Sequence, residues 1–223
     1  MPYDLTLREI TPLTHDTHRY VFDRPKDLNF EPGQAADLYL TQDGWRDEGR
    51  PFTFTSLPKD DHLEFVIKSY PDHDGVTARL PTQAPGTAFC LDDVRGAISD
   101  QGPGVFLAAG AGITPFTPIL RARAQAGSVT GCHLIFSNTR AADIILRGEW
   151  AVMEGLRVDH VLAEEDAPGL HHGQVDATFL REQVQDFDTT FYVCGPPGYV
   201  DAMRDALRAS GVDDSAMVIE DGW

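Results

Sequence analysis

The sequence has few cysteines and few basic residues. Its three cysteines, Cys90, Cys132 and Cys194, are widely separated and odd in number, which excludes a zinc pattern and a disulfide framework. An iron–sulfur cluster needs four closely spaced thiolates, so no cluster is expected in this chain. Lysine and arginine total 18 against 35 acidic residues, giving a net charge of −17. Because a nucleic-acid binder would show a basic face, that class of function is disfavoured.

Long apolar runs are also missing. No stretch approaches the roughly 18 apolar residues of a membrane-spanning helix, so membrane insertion is not expected. The first residues have neither a basic start nor an apolar core, so no secretory signal is predicted and the cytoplasm is the expected location. The 223 residues, 42% of them hydrophobic, suffice for one large or two ordinary globular domains.

The hydrophobic pattern changes near the middle of the chain. From residue 3 to about residue 98, short alternating segments lie between turn signals, which is typical of an antiparallel β-barrel. From residue 105, apolar runs at 105–109, 132–136, 158–162, 190–194 and 216–219 alternate with helix-like segments at 116–126, 141–154, 176–185 and 199–210. This alternation is typical of a parallel α/β sheet. We predict a barrel domain over residues 1–101 and a five-stranded parallel α/β domain over residues 102–223.

A glycine turn follows the first of these apolar runs. Gly110 and Gly112 stand between residues 105–109 and the helix-like segment at 116–126. A strand, a glycine turn and a helix together place backbone N–H groups opposite an anionic ligand such as a pyrophosphate. The same glycines could be present only because a tight turn has no room for Cβ atoms. Pro115 stands where a dinucleotide fingerprint would have its third glycine.

A second segment combines a cation, an aromatic ring and several hydroxyl groups. Arg50 could bind a phosphate, while Phe52, Thr53 and Ser56 could pack on a flat ring and form hydrogen bonds to it. Aromatic and β-branched residues are also common in ordinary strands. The segment alone therefore indicates either a ligand site or a plain barrel strand.

Two further segments would lie at helix starts. Gly75 and Thr77 begin the predicted barrel helix at residues 76–80, where a phosphate or a simple cap fits equally well. Cys194 ends an apolar run and is followed by Gly-Pro-Pro-Gly, at the sheet edge where open α/β folds bind ligands. A lone cysteine is otherwise simply a small buried residue.

Together the four motifs resemble those of the ferredoxin–NADP reductase superfamily, in which a flavin-binding barrel precedes a nicotinamide-nucleotide domain. The resemblance covers nearly the whole chain, and in that family a proline is expected at position 115. The flavin motif Arg-x-Tyr-Ser-x-x-Ser is matched at Arg50, Phe52, Thr53 and Ser56, the flavin-phosphate motif at Gly75 and Thr77, the loop Gly-x-Gly-x-x-Pro at Gly110, Gly112 and Pro115, and the motif Cys-Gly-Pro-Pro-Gly at residues 194–198.

The resemblance implies an enzyme that uses FAD and either NADPH or NADH. Hydride would pass to the flavin, and single electrons would then pass to a separate acceptor, with ferredoxin or flavodoxin as the leading candidates. The implied catalytic residues are Thr53 near flavin N5, Cys194 beside nicotinamide C4, and the carboxylate Glu220, with Asp221 as its rival. The phenylalanine at position 52 lacks the family's tyrosine hydroxyl.

The resemblance also implies two sets of binding residues. The flavin would be held by Arg50, Pro51, Phe52, Thr53, Ser56, Val66, Ile67, Lys68, Gly75, Val76, Thr77 and Trp223. The nicotinamide nucleotide would be held by Gly110, Gly112, Ile113, Thr114, Pro115, Asn138, Arg140, Cys194, Gly195, Pro196 and Pro197.

The coenzyme preference depends on the end of the second parallel strand, where an acid would bind a ribose 2′-hydroxyl and an arginine a 2′-phosphate. Residues 137–140 are Ser-Asn-Thr-Arg, and no acid occurs before Asp143. This favours NADPH slightly, unless Arg140 is a solvated helix-cap residue. His171 and His172 are predicted to be exposed in a loop and to bind no metal.

Two alternative functions stay open on the sequence. The first is a reductase of free flavin or another small acceptor. The second is a flavin-binding relay or regulatory subunit that does not use NAD(P)H, although such a subunit would not need the glycine loop or Cys194. The charge of −17 would also repel an acidic acceptor at long range, unless a few arginines and lysines of the barrel gather on the docking face.

Overall fold

The N-terminal half is a six-stranded antiparallel barrel. The computed structural model describes residues 2–42, 44–46, 48–71, 75–96 and 98–220. The strands pair in the order β4-β3-β6-β1-β2-β5, and an antiparallel bridge between Phe54 and Phe65 brings the two edges together. Closure removes the exposed sheet edges. The strands are β1 (Tyr3–Pro12), β2 (Thr17–Asp23), β3 (Ala35–Leu40), β4 (Arg50–Thr53), β5 (His62–Lys68) and β6 (Ala88–Arg95); helix α1 (Val76–Arg79) lies between β5 and β6 and continues into a 3₁₀ turn at Leu80–Thr82.

Aromatic rings fill the barrel. Tyr20 and Phe22 of β2 point inward, as the alternation of that strand predicts. The Phe22 ring meets Phe65 and Phe89 edge-on, with centroids 5.9 Å and 5.0 Å away. Such edge-to-face pairs add to the stabilisation that burial provides. The barrel therefore has its own core.

The C-terminal half is a parallel α/β sheet in the order β10-β9-β8-β7-β11-β12. All five strand pairings are parallel. The order reverses between β7 and β11, and ligands bind beyond the carboxyl ends of the strands at such a point. The elements are β7 (Gly104–Ala109), α2 (Phe116–Gln125), β8 (His133–Asn138), α3 (Arg147–Val152), β9 (Arg157–Leu162), β10 (His171–His172), α4 (Ala177–Gln183), β11 (Thr190–Cys194), α5 (Pro197–Ala209) and β12 (Met217–Ile219), with 3₁₀ turns at Gly110–Ile113, Ala141–Asp143 and Asp214–Ala216.

Two details differ from the sequence prediction. The sheet has six strands, not five, because His171 and His172 form a short edge strand beside β9. His171 is half-buried and bonds to Asp159 over 3.2 Å, so the prediction that it is exposed in a loop was wrong; two residues are too few for a strand pattern. The helix predicted at 141–154 is broken, since Leu146 adopts a left-handed backbone with φ of 56° just before α3.

A buried ionic contact joins the two domains. Arg121 of α2 donates from Nη1 to the Glu64 carboxylate of β5 and to the carbonyl oxygen of Thr55, both at 2.7 Å. Its Nε and Nη2 atoms donate to the two Glu149 oxygens at 2.6 Å and 2.8 Å. Burial lowers the pKa of Arg121, but its hydrogen bonds to Glu149 and the charge of Glu64 outweigh burial and raise it.

Apolar packing strengthens the same junction. Val66 of β5 belongs to the core cluster that covers one face of the parallel sheet, together with Ile98 and Phe106. The barrel strand beside the flavin motif is thus held against the C-terminal domain. In the described part of the chain, no helix is both long and apolar enough to cross a membrane.

Candidate functional site

The carboxyl ends of β7 and β8 open into a cleft between the domains. Its volume is about 510 Å³, within the range of small-molecule and cofactor sites. The sheet side includes Gly110, Asn138 and Pro196, and the barrel side includes Asp16 and Lys68. We call this space the interdomain cleft. It lies where the topology of the sheet predicts a ligand.

The two glycines of the loop after β7 have different roles. Gly110 has a left-handed φ of +51°, and a Cβ atom there would meet nothing within 4 Å. A Cβ atom on Gly112 would lie 2.3 Å from the carbonyl oxygen of Cys194. Gly110 therefore shapes the turn at the cleft wall, whereas Gly112 allows the loop to touch the end of β11.

The next three residues of the loop support it from behind. Ile113 is fully buried in the core below the sheet. The Thr114 hydroxyl donates to the carbonyl oxygen of Ala111 over 2.9 Å, and Pro115 stands at the N-terminus of α2. All three fix the shape of the loop, and none lines the cleft.

Asn138, at the end of β8, is the clearest sign of a ligand in the cleft. Its side chain is buried, with the residue 6% exposed. Neither Oδ1 nor Nδ2 has a hydrogen-bond partner among the residues that the structure describes. Buried polar atoms without partners are rare in native structures and call for an explanation. A polar ligand in the cleft would supply the missing partners.

Arg140 lies at the rim of the same cleft. Its guanidinium is exposed and pairs with Glu164 over 3.3 Å. Arg140 is therefore brought to the predicted place, but with a carboxylate beside it that sequence reasoning did not foresee.

Cys194 and Glu220 are neighbours in the structure. Burial, and to a lesser extent the negative charge of Glu220, raise the pKa of the Cys194 thiol to about 12. The thiol is thus neutral at pH 7. Gly195 packs tightly against the end of β7, because a Cβ atom there would lie 3.0 Å from the Ala109 Cβ. Pro196 lines the cleft, and Pro197 begins α5.

Strand β4 carries the first part of the predicted flavin motif, and its residues are only partly buried. Arg50 is exposed and pairs with Glu48 over 3.3 Å. Phe52 packs against the barrel core. Pro51 and Thr53 face the other side of the strand, and the Thr53 hydroxyl forms no hydrogen bond to any residue that the structure describes. That hydroxyl is available to a ligand.

The other predicted flavin residues separate into two groups. Ser56 is buried, and its hydroxyl accepts the N–H of Glu64 over 3.0 Å, so it braces the barrel and does not reach the cleft. Ile67 packs in the barrel core and Val66 in the domain junction. Lys68 lies between them and the cleft, with Nζ 2.9 Å from an Asp16 oxygen.

A second cavity of about 470 Å³ adjoins the interdomain cleft on the barrel side and shares Asp16 and Lys68 with it. It extends to α1, where Gly75 caps the helix, Val76 is buried and Thr77 is half-exposed. His18 borders this cavity, and its buried Nδ1 lacks a partner among the described residues. Tyr70, at 45% exposure, offers an aromatic ring at its wall.

Comparisons with known proteins agree with this geometry. Residues 106–205 match the family described as the oxidoreductase NAD-binding domain. The toluate 1,2-dioxygenase electron transfer component of Pseudomonas putida is 28% identical over 208 residues, which cover 86% of this chain and 59% of that relative. The family match covers 100 of the 223 residues, which is fewer than half of the chain. The chain spans less than two thirds of the length of that relative.

Solved structures show the same two-domain fold. The flavohem-like FAD/NAD binding domain of nitric oxide dioxygenase from Vibrio cholerae superposes with a TM-score of 0.88 at 22% identity, covering 98% of both chains. A ferredoxin NADP+ reductase from Neisseria gonorrhoeae gives a TM-score of 0.85 at 20% identity, covering 100% of this chain and 99% of that one. The predicted fold class, a flavin-type barrel followed by a parallel α/β domain, is thereby confirmed.

Several residues of the candidate site were not found by sequence reasoning. His15, in the turn between β1 and β2, lies 3.3 Å from an Asp143 oxygen and so connects the two domains across the cleft. The phenol of Tyr199 is buried beside Cys194 without a hydrogen-bond partner in the described chain. Burial raises the pKa of Tyr199, with the Cys194 charge as the lesser cause. Only the adjacent Gly-Pro-Pro-Gly motif could have pointed to this tyrosine.

Two predicted residues cannot be placed. Trp223, expected against the flavin, and Asp221, the rival of Glu220, lie outside the described residues. Within the described ranges, no group of three or more histidine, cysteine or acidic side chains is arranged to hold a metal ion.

Proposed function

We propose that this chain is a flavoprotein oxidoreductase that takes hydride from NAD(P)H onto FAD and releases single electrons to a separate acceptor. One observation carries the proposal: two ligand-sized cavities lie side by side, one at the edge of the parallel sheet and one on the barrel, with Asp16 and Lys68 as their common wall. A reaction between two cofactors requires such neighbouring sites.

The residues of the interdomain cleft fit a nicotinamide nucleotide. The backbone turn at Gly110 leaves open space beside it, so a pyrophosphate could approach closely. The unpartnered Asn138 amide can both donate to and accept from a ribose or a phosphate. Pro196 lines the wall nearest to Cys194.

The residues of the barrel cavity fit a flavin nucleotide. Thr53 and Arg50 lie on β4 and line neither cavity. A flavin that extends along the barrel to β4 could accept a hydrogen bond from the Thr53 hydroxyl, and Arg50 could exchange the exposed Glu48 for a phosphate. Tyr70 presents a ring on which a flat heterocycle can stack. When bound, the flavin and the nicotinamide supply the hydride and one-electron chemistry, and the protein supplies position.

The neutral Cys194 thiol has a packing role in this proposal. With a pKa of about 12, it can neither donate nor accept a proton readily at pH 7. Its position at the end of β11, with buried Tyr199 behind it, shapes an apolar wall that excludes water. Glu220 stands beside this wall and can orient the carboxamide end of a nicotinamide through a hydrogen bond.

The acceptor is proposed to be a one-electron carrier such as ferredoxin or flavodoxin. The relative from Pseudomonas putida is named as an electron transfer component, which supports a carrier or an oxygenase partner over free flavin. The chain's charge of −17 counts against a strongly acidic partner. Two of the barrel arginines do not relieve this, because Arg8 pairs with Asp23 and Arg19 with Glu9.

A spectroscopic titration tests the proposal. The purified protein should show the visible absorption of an oxidised flavin, and NADH or NADPH should bleach it without oxygen. Reoxidation by ferredoxin or flavodoxin, but not by free FMN, would support the proposed acceptor class. A colourless protein that does not bind added FAD would overturn the flavin assignment. A flavin that neither nucleotide bleaches would favour a relay subunit, and rapid turnover with free FMN would favour a flavin reductase.

A further inference from the structure

At the start of the loop after β8, three N–H groups donate hydrogen bonds to three different carboxylates. The Arg140 backbone N–H donates to Asp143 over 2.9 Å. The Ala141 backbone N–H donates to Glu165 over 2.8 Å. The Arg140 guanidinium donates to Glu164 over 3.3 Å. These three donors at the rim of the cleft therefore each have an acidic partner.

The cation on the opposite wall is paired as well. Lys68 lies 2.9 Å from an Asp16 oxygen, and His15 lies between Asp16 and Asp143. Asp16, Asp143 and Glu164 all line the cleft. Three acids therefore line the cleft against two permanent cations, Lys68 and Arg140, and both cations are paired. Asn138 provides a buried neutral amide at the floor.

The two nicotinamide nucleotides differ at this point by one phosphate. A ribose 2′-phosphate carries close to two negative charges at pH 7 and needs cations or N–H donors. A 2′-hydroxyl is neutral and can donate to a carboxylate. The carboxylates of Glu164 and Asp143, which line the cleft, repel a phosphate and can accept a hydrogen bond from a hydroxyl.

We infer that Glu164 and its neighbouring acids make this chain selective for NADH over NADPH. The inference rests on the proposed function and names the substrate of its nucleotide site. It reverses the slight preference for NADPH that the isolated sequence Ser-Asn-Thr-Arg indicates. The reason is spatial: Glu164 and Glu165 follow β9, more than 20 residues after Arg140 along the chain, and the parallel sheet brings them together.

The test is equilibrium binding of NAD+ and NADP+ to the flavin-loaded protein, measured by calorimetry at low ionic strength. The wild type should bind NAD+ more tightly. Glu164→Gln should tighten NADP+ binding about fivefold, the effect of removing one exposed charge from a charged ligand, and should change NAD+ binding by less than twofold. Asp166→Asn, which removes an exposed charge from the same loop, should leave the ratio unchanged within twofold.

The possible outcomes distinguish a failure of the inferred NADH selectivity from a failure of the proposed function. Tighter binding of NADP+ by the wild type would overturn the inference and leave the proposed reductase intact. So would an equal change of the ratio in Glu164→Gln and Asp166→Asn. If neither nucleotide binds nor bleaches the flavin, the proposed function itself fails, and the inference fails with it. Melting temperatures of both variants should equal that of the wild type, since both side chains are exposed.

Discussion

Replacing Arg121 by glutamine would remove the ionic contact that joins the barrel to helix α2. Glu64 would then keep a buried carboxylate, 6% exposed, whose remaining side-chain partners are the Thr55 hydroxyl at 2.9 Å and the more distant Arg19 guanidinium at 4.0 Å. Breaking a buried ion pair from one side costs about 3–5 kcal/mol. Because Glu149 is partly exposed and can turn toward water, we expect the lower end, about 3 kcal/mol.

Urea unfolding followed by fluorescence and circular dichroism would measure this loss. In a domain of this size, about 3 kcal/mol corresponds to a fall in melting temperature of roughly 6–12 °C. Glu64→Gln removes the buried charge. The double variant with Arg121→Gln should therefore lose about 2 kcal/mol less unfolding free energy than the sum of the losses in the two single variants. Such recovery would show that the loss comes from a stranded charge.

The control is Arg8→Gln, which removes one partner of an exposed pair with Asp23. Exposed pairs contribute between zero and about 1 kcal/mol to stability, so this change should hardly alter the free energy of unfolding. If Arg121→Gln and Arg8→Gln had the same effect, the reasoning about the domain junction would be refuted. Flavin reduction by the nucleotide should also slow in Arg121→Gln at temperatures where the protein is still folded, because the barrel is then free to shift.

Three other predictions concern single side chains. Thr53→Ala should slow flavin reduction tenfold or more in stopped-flow experiments while flavin stays bound, and Thr53→Ser should restore it; an unchanged rate would remove Thr53 from the site. Cys194, with a pKa of about 12, should react with iodoacetamide at pH 8 about a thousandfold more slowly than an ordinary thiol, and alkylation at ordinary rates would contradict its burial. The hydrogen bond from His133, with a lesser one from His171, lowers the pKa of Asp159 to about 2. The ionised Asp159 should therefore add about 2 kcal/mol above pH 4, a contribution that is lost as the pH falls toward 2. Equal stability of Asp159→Asn and wild type at pH 7 would contradict this.

The sequence predicts the fold well because both halves obey strict periods. The alternation of β2 places Tyr20 and Phe22 inside the barrel, and the five apolar runs of the second half become five of the six strands of the sheet. The glycine loop is also foreseen, although Gly112 serves contact with Cys194 more than contact with a ligand. Periods and motifs depend on residues close together in the sequence. The strands and the glycine loop depend on such residues too, and this is why the sequence predicts them.

What the sequence does not reveal depends on contacts between distant residues. Arg121 and Glu64 are 57 residues apart, and Arg140 and Glu164 are 24 apart. No spacing rule relates such pairs, because the sheet order and the seating of the barrel decide them. Glu164 pairs with Arg140, and this pairing is the basis for inferring NADH selectivity where the local sequence favoured NADPH.

The contrast between local motifs and long-range contacts also applies to the proposed function. Under the proposed function, the motifs would determine what each domain binds, since Thr53 belongs to the barrel and Gly110 to the sheet. In the proposed reductase, the distance between the two bound rings would depend on the junction between the domains, which Arg121 and Val66 help to hold. A variant that leaves every motif intact can therefore impair hydride transfer if it loosens the junction. Mutations that affect turnover without affecting the affinity for either cofactor should consequently cluster along this surface rather than in the motifs.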